Sequence, residues 1–292
     1  MAGWPSQAVA LRSSRSRCDV HVTCVLSHLT FSRSRVLAPP TTTMPSPRRS
    51  LLLSVRNAYE AIAVSAPTVL DAALGRLTRE TCDRRLASFA AHVIENTRIE
   101  VRVHGRENVP KDSSRSYLVM SNHVSHYDIP VLYYVLGGRM RMVAKKELFH
   151  LPIFGRAIRD AGMIEVDRGN RMRAIASLDQ AKAQLASGMP IWIAPEGTRS
   201  PSGELLPFKK GGFVLAFEMG VPILPVTIVG TRNVLPAKGL LSTAGATVDV
   251  TIHPLIESST HAKLERKAAR DALMREVRNA ITSAFVDRNS SK

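Results

Sequence analysis

Short apolar runs rich in β-branched and aromatic residues recur along the middle of the chain, at 99–104, 117–121, 141–144, 163–166, 190–194, 223–229 and 247–253. Between several of them apolar positions return at helical spacing. The most regular case is Arg171–Ala186, which stops at Ser187 and Gly188 as a helix end should. Strands alternating with helices predict an α/β domain over residues 98–257, with a largely parallel central sheet flanked by helices. In such sheets, binding and chemistry collect beyond the C-terminal ends of the strands, where His123, Arg168 and Arg199 all fall.

The flanks read differently. Residues 51–97 are helical in pattern, but Arg56, Glu60, Asp71 and Arg76 keep interrupting the apolar positions, so no run approaches the roughly 20 residues that span a bilayer. Two helices, 51–77 and 79–96, are expected to form an N-terminal amphipathic helical hairpin. Its apolar side rests either on a membrane, with arginines at the lipid phosphates, or on the main domain. A final amphipathic helix over 259–287, within a C-terminal segment 258–292, carries Leu264, Leu273, Val277, Ile281 and Phe285 and is expected to pack back on the domain. Residues 1–50 are rich in Arg, Ser, Thr and Pro with Asp19 the sole acidic residue, which predicts a disordered basic leader. Arg12, Arg15, Arg17 and Asp19 break up any signal-peptide core, leaving an organelle transit peptide or an extension preceding a true start at Met44.

Charge sharpens the picture. Across 292 residues the formal net charge is +16, which calls for polyanionic partners: nucleic acid, an anionic membrane surface or a phosphorylated substrate. Aromatic residues are 5% of the chain and none interleave with a basic stretch, so the stacking platforms of nucleic-acid binders are not expected. Cys18, Cys24 and Cys82 make no disulfide framework, and Cys18, His21, Cys24 and His28 match no zinc spacing; no metal site is expected.

The chemistry concentrates at 117–128, YLVMSNHVSHYD. A buried strand meets a polar turn holding His123, and Ser125 followed by Asp128 has the spacing of a helix start. Residues five apart do not stack on a helix, so Asp128 meets His123 only if the histidine sits in the turn before it. Asp128 would then fix the imidazole tautomer and leave the other nitrogen as a general base. The plainer reading is a capping box with a bystander histidine. Ser125 suits a cap better than a nucleophile, and His126 is expected to point away.

Three further segments add polar groups at strand ends. GMIEVDRGN (162–170) ends its strand at Arg168, a planar fork of donors for a phosphate or carboxylate. IWIAPEGTRS (191–200) breaks into a turn with Glu196, Gly197, Thr198 and Arg199, which either shapes a ligand site or lets Glu196 and Arg199 bridge each other. VPILPVTI (221–228) is an apolar strand suited to core or to lining a hydrocarbon channel. Lys209, Lys210, Gly211 and Gly212 open another helix and could bind an anion or simply be solvated.

Taken in order and at these separations, the N-H-x-S-x-x-D block (Asn122, His123, Ser125, Asp128), the block ending Val166, Asp167 and Arg168, the E-G-T-R block at Glu196, Gly197, Thr198 and Arg199, and the proline block at 221–226 resemble the signature of PlsC-type glycerolipid acyltransferases over roughly residues 100–230. The resemblance implies His123 as general base and Asp128 as its orienting partner. It further implies an acceptor site shaped by Glu196, Gly197 and Thr198, with Arg168, Arg199 and one of Lys145 or Lys146 at a phosphate. The expected reaction moves a fatty acyl group from acyl-CoA or acyl-carrier protein to the free hydroxyl of 1-acylglycerol-3-phosphate, with no cofactor, at the cytoplasmic face of a membrane to which the protein attaches peripherally. Rival readings are a different lysophospholipid or lyso-aminolipid acceptor, a thioesterase or lipase using Ser125, and a non-enzymatic membrane-binding protein.

Overall fold

The structure, a computed structural model, describes residues 49–112, 115–167, 171–261 and 264–289, with the side chains of 171–175 and 286–289 not described. The expectations for residues 1–48 of the basic leader, with Cys18, His21, Cys24 and His28, and for Arg168 lie outside these residues, whereas Arg49 and Ser50, the last two residues assigned to the leader, form a short strand.

The elements run in the order β1 (Arg49–Ser50), α1 (Leu51–Ala73), α2 (Arg79–Thr97), β2 (Glu100–His104), β3 (Leu118–Ser121), α3 (Asp128–Leu136), β4 (Arg141–Lys145), α4 (Lys146–Phe149), α5 (Phe154–Asp160) and β5 (Ile164–Val166). They continue with α6 (Arg171–Ala186), β6 (Ile191–Ile193), α7 (Gly211–Met219), β7 (Ile223–Val229), α8 (Thr231–Val234), β8 (Ser242–Thr243), β9 (Thr247–Ile252) and α9 (Arg266–Asn289). The main sheet has the order β2-β9-β7-β3-β6-β4-β5, parallel throughout except where β7 meets β9.

Both faces of this sheet are covered, so its central strands β3, β6 and β7 are apolar at all positions but Ser121 and Thr227, as buried parallel strands tend to be. Along β3, Val119 faces a cluster with Trp192, Leu224, Val226 and the α2 and α3 residues Val93, Val131 and Leu132. Its neighbours Leu118 and Met120 point the other way, onto Leu185 of α6, Phe213 of α7 and Leu273 and Val277 of α9. The proline segment 221–228 is therefore core: Ile223, Leu224, Val226 and Ile228 are fully buried.

Several strands begin or end a residue from the expected limits, and three helices of the flanks differ as well. The first hairpin helix stops at Ala73 because the chain turns through Gly75 at a φ of +65. The second runs from its Thr78 cap, whose hydroxyl accepts from the Thr81 amide at 3.1 Å, to Thr97. The final helix begins at Arg266, preceded by a separate 3-10 turn at Ser258–His261.

The hairpin divides its faces. Helix α2 buries Ala90, Val93 and Ile94 in the core with α3, whereas the buried residues of α1 are Ser65 and Thr68. Leu51, Leu52 (78% exposed), Val55, Tyr59, Ile62 and Leu70 remain in the open along α1. The antiparallel pairing of Ser50 with Ser242 brings exposed Leu240 and Leu241 beside the start of this stripe. A chain of hydrogen bonds joins α1 to the main domain: Asn57 Nδ2 donates to the Tyr127 hydroxyl (2.7 Å), which bonds Ser242 Oγ (2.8 Å), and the Ser242 amide donates to Ser54 Oγ (2.9 Å). Among the described residues no helix is long and apolar enough to cross a membrane.

Turn chemistry gives a direct test of this packing. Gly105 has a φ of +73, and a Cβ there would lie 2.1 Å from the Ile252 carbonyl oxygen of β9. Gly75 has a φ of +65 and open space around it. Gly105→Ala is expected to lower stability by at least about 2–3 kcal/mol and Gly75→Ala by about 1 kcal/mol, read from denaturant midpoints.

Candidate active site

Strand β3 ends at Ser121, whose hydroxyl accepts from Trp192 Nε1 at 2.9 Å and donates to the Asn122 carbonyl at 3.0 Å. The next side chain, Asn122, is buried and clamps the main chain of β7: Nδ2 donates to the Ile228 carbonyl and Oδ1 accepts from the Ile228 amide, both at 2.8 Å. His123 follows. Its amide donates to Glu196 Oε1 and its carbonyl accepts from the Ser200 amide, again both at 2.8 Å. The turn is thus fastened to β7 on one side and to the loop after β6 on the other.

From this position the His123 ring meets Asp128, with Nδ1 at 2.8 Å from Oδ2. The same oxygen accepts from the amides of Val124 (2.8 Å) and Ser125 (2.9 Å), while Oδ1 accepts from the Thr231 hydroxyl at 2.6 Å. Asp128 is fully buried, and these donors replace the water it has lost. Pairing with His123 and capping of the turn are therefore not alternatives: one carboxylate oxygen serves both. The cap is only half a capping box, and the expected helix start at Ser125 gives way to one at Asp128. The reason is that Ser125 Oγ is spent elsewhere, donating to the Leu235 carbonyl at 2.7 Å and accepting from the Tyr127 amide at 3.1 Å. Buried and so committed, Ser125 is poorly placed to act as a nucleophile.

The His123 ring is 14% exposed and stands edge-on to Trp192, centroids 5.3 Å apart. Among the described residues its Nε2 has no hydrogen-bond partner. That nitrogen is the one left to accept a proton.

Neighbouring strands carry the other expected residues to the same edge of the sheet. After β6, Glu196 turns inward: it is buried, and its second oxygen accepts from the Leu206 amide at 2.8 Å. Burial pushes its carboxyl above the usual range, and the Leu206 and His123 amides pull it back. Both oxygens are thus occupied by backbone amides, so Glu196 holds the His123 turn against the 196–206 loop, and no Glu196–Arg199 bridge forms among the described residues. Gly197 turns at a φ of +72, Thr198 is exposed, and Arg199 is half-buried. Burial lowers the Arg199 guanidinium and the Asp128 charge raises it, which puts this cation within electrostatic reach of the dyad. After β4 come exposed Lys145 and then Lys146, whose ammonium pairs with Asp167 at 2.9 Å.

Sequence reasoning did not anticipate the Asn122 clamp or the Thr231 bond, which link residues 106 and 103 positions apart. His126, expected to point away, is exposed and makes no hydrogen bond to His123 or Asp128 among the described residues. Desolvation lowers the His126 imidazole to about 4, assisted by the positive charge of Arg199 and His123. The unfolded chain, with an ordinary histidine near 6.5, takes up this proton first. Stability is therefore expected to fall as pH drops from about 6.5 to about 4, trimmed by the solvent access His126 retains. Thermal midpoints across that range should fall less steeply in His126→Gln than in the wild type.

Comparison with known proteins bears on this geometry. The family model described as Acyltransferase matches residues 100–229. A chloroplastic 1-acyl-sn-glycerol-3-phosphate acyltransferase of Brassica napus, BAT2, is 34% identical over 185 residues, covering 63% of this chain and 50% of its own length. The human 1-acyl-sn-glycerol-3-phosphate acyltransferase alpha is 36% identical over 148 residues, covering 50% and 52%. This chain spans about half the length of these relatives. The crystal structure of the LPA acyltransferase PlsC from Thermotoga maritima aligns with a TM-score of 0.66 at 28% identity, covering 80% of this chain and 95% of that one. The residues matched by the family model therefore include the His123–Asp128 pair and the loop after β6.

Proposed function

We propose that this protein transfers a fatty acyl group from a thioester donor, acyl-CoA or acyl-carrier protein, to the free hydroxyl of 1-acylglycerol-3-phosphate, forming phosphatidate. The observation that carries this reading is the His123 ring, held by Nδ1 on a buried, fully bonded carboxylate with Nε2 unengaged. His123 Nε2 takes the proton of the acceptor hydroxyl as its oxygen attacks the thioester carbonyl. The carbon–sulfur bond then breaks, and the proton passes from the imidazolium to the departing thiolate. No acyl-enzyme forms, in keeping with the committed Ser125 hydroxyl.

Strand spacing ranks the cations for the acceptor phosphate. Neighbouring strands lie about 4.8 Å apart, so the β6 loop is one spacing from the end of β3 and the end of β4 about two, roughly 10 Å. In the acceptor, two carbons and one ester oxygen separate the reacting hydroxyl from phosphorus. Arg199 therefore serves as the nearer contact, with exposed Lys145 extending the positive field outward, Lys146 partly neutralised by Asp167, and Arg168 the second phosphate contact that the sequence implies. Gly197 and Thr198 form the wall between them.

The acceptor is an amphiphile, and the open apolar stripe of α1 supports peripheral, monotopic attachment to the cytoplasmic face of an anionic membrane. Burying one Leu or Val side chain in lipid contributes about 1.5–3 kcal/mol, or roughly tenfold or more in partitioning. Leu52→Glu and Val55→Glu are each expected to weaken liposome binding by at least about tenfold while leaving turnover of detergent-dispersed acceptor intact.

Acyl transfer from palmitoyl-CoA and from acyl-carrier protein to 1-acylglycerol-3-phosphate on liposomes tests the reaction itself. Phosphatidate should form with the wild type and drop by about 100- to 10,000-fold in His123→Ala of equal folded content. Turnover surviving in that variant, or donor hydrolysis indifferent to the acceptor and lost in Ser125→Ala, would overturn the reading.

A further inference from the structure

The Asp128 carboxylate receives more donors than a histidine pair needs, and one of them comes from a distant strand. Strand β7 ends at Val229, and Gly230 follows at a φ of +108. A Cβ on Gly230 would lie 2.2 Å from the Thr247 carbonyl oxygen, so only glycine lets the chain turn here against β9. The turn sends two side chains in opposite directions. Arg232 donates to the Pro201 carbonyl at 3.0 Å, latching the loop after β6. Thr231, with no exposed surface, points inward and bonds Asp128 Oδ1 at 2.6 Å. Nothing else among the described residues bonds that oxygen, since the His123 ring and the two amides all meet Oδ2.

We propose that Thr231 is a positioning residue of the acyl-transfer site, the third member of a His123–Asp128–Thr231 array in which its hydroxyl orients the carboxylate and draws charge away from the oxygen facing His123. The proposal rests on His123 being the base. Its hydroxyl has one geometric task. A free carboxylate turning about its Cβ–Cγ bond would weaken the grip on His123 Nδ1; a donor on Oδ1 pins the rotation, and the amides of Val124 and Ser125 pin the other oxygen. The hydrogen bond is made to an ionised acceptor, the strong kind, in a site closed to water.

Thr231→Val removes the hydroxyl at nearly constant volume, and Thr231→Ser restores it. Thr231→Val is expected to lower kcat by about 10- to 100-fold, the value of a hydrogen bond to a charged group, with KM changed by less than about twofold. With Oδ1 unbonded, more negative charge faces the imidazole. The acid limb of the kcat/KM profile should therefore move to higher pH by about half a unit. Thr231→Ser should recover most of the rate and the wild-type profile, and Thr231→Val added to His123→Ala should lower the residual rate no further. A loss of rate matching the loss of folded protein, an unshifted profile, or no recovery in Thr231→Ser would overturn the proposal.

A measurement that needs no turnover separates this proposal from the function it rests on. In the full-length wild type the His123 ring proton bonded to Asp128 should give a downfield proton resonance, assigned by its disappearance in His123→Ala. That resonance should move or broaden in Thr231→Val and return in Thr231→Ser. The same resonance in all three proteins defeats the array whatever the substrate. A displaced resonance in a protein that forms no phosphatidate keeps the array and rejects only the acceptor.

Discussion

A carboxylate shut away from water persists only where donors replace the water it has lost, and Asp128 draws its donors from two distant parts of the chain: the imidazole and two amides of its own turn, and a hydroxyl that follows β7. All must converge within hydrogen-bonding distance of one small group. That requirement fixes the register of β3 against β7, and the two bonds of Asn122 to Ile228 extend it one residue beyond the strand ladder. The fold and the site are closed by the same bonds. Taking one donor away leaves a buried charge short of a partner, an expense borne by stability and chemistry together.

The parallel sheet explains why so many polar groups reach one edge. Strands β3, β6, β4 and β5 all run the same way, so each delivers the residues following it to the same side. Apolar side chains fill most of both faces, so the polar groups that follow these strands collect at that edge. Within that row the residues divide by task. Glu196 and Ser200 grip the His123 backbone, while Arg199 stands half-buried beside the pair and Lys145 is exposed.

Much of this architecture could be read from local pattern. The β7 run 223–229 and the helix Arg171–Ala186 have the limits that apolar period and stop residues indicate, because burial on both faces leaves an unbroken apolar strand and an amphipathic helix shows its period. His123 and Asp128 were also legible, being five residues apart with a turn between. What pattern could not supply was long-range pairing. The antiparallel meeting of β7 and β9, the short β1–β8 sheet and the bonds from Asn122 and Thr231 depend on which strands become neighbours. Glu196 shows a subtler limit: the residue type announced a functional loop, but its inward direction depends on two amides, one of them at position 123.

Tyr127 joins the hairpin to the reacting end of the molecule. Its hydroxyl bonds Asn57 on α1 and Ser242 on β8, and the residue after it is Asp128. Two hydrogen bonds, one direct and one through Ser242, thus couple the helix carrying the apolar stripe to the residue next to the His123 partner. Under the proposed attachment and with His123 as the proposed base, the protein would act as a fixed-height gauge: a stripe settled among lipid tails would set the depth at which the imidazole meets an acceptor hydroxyl.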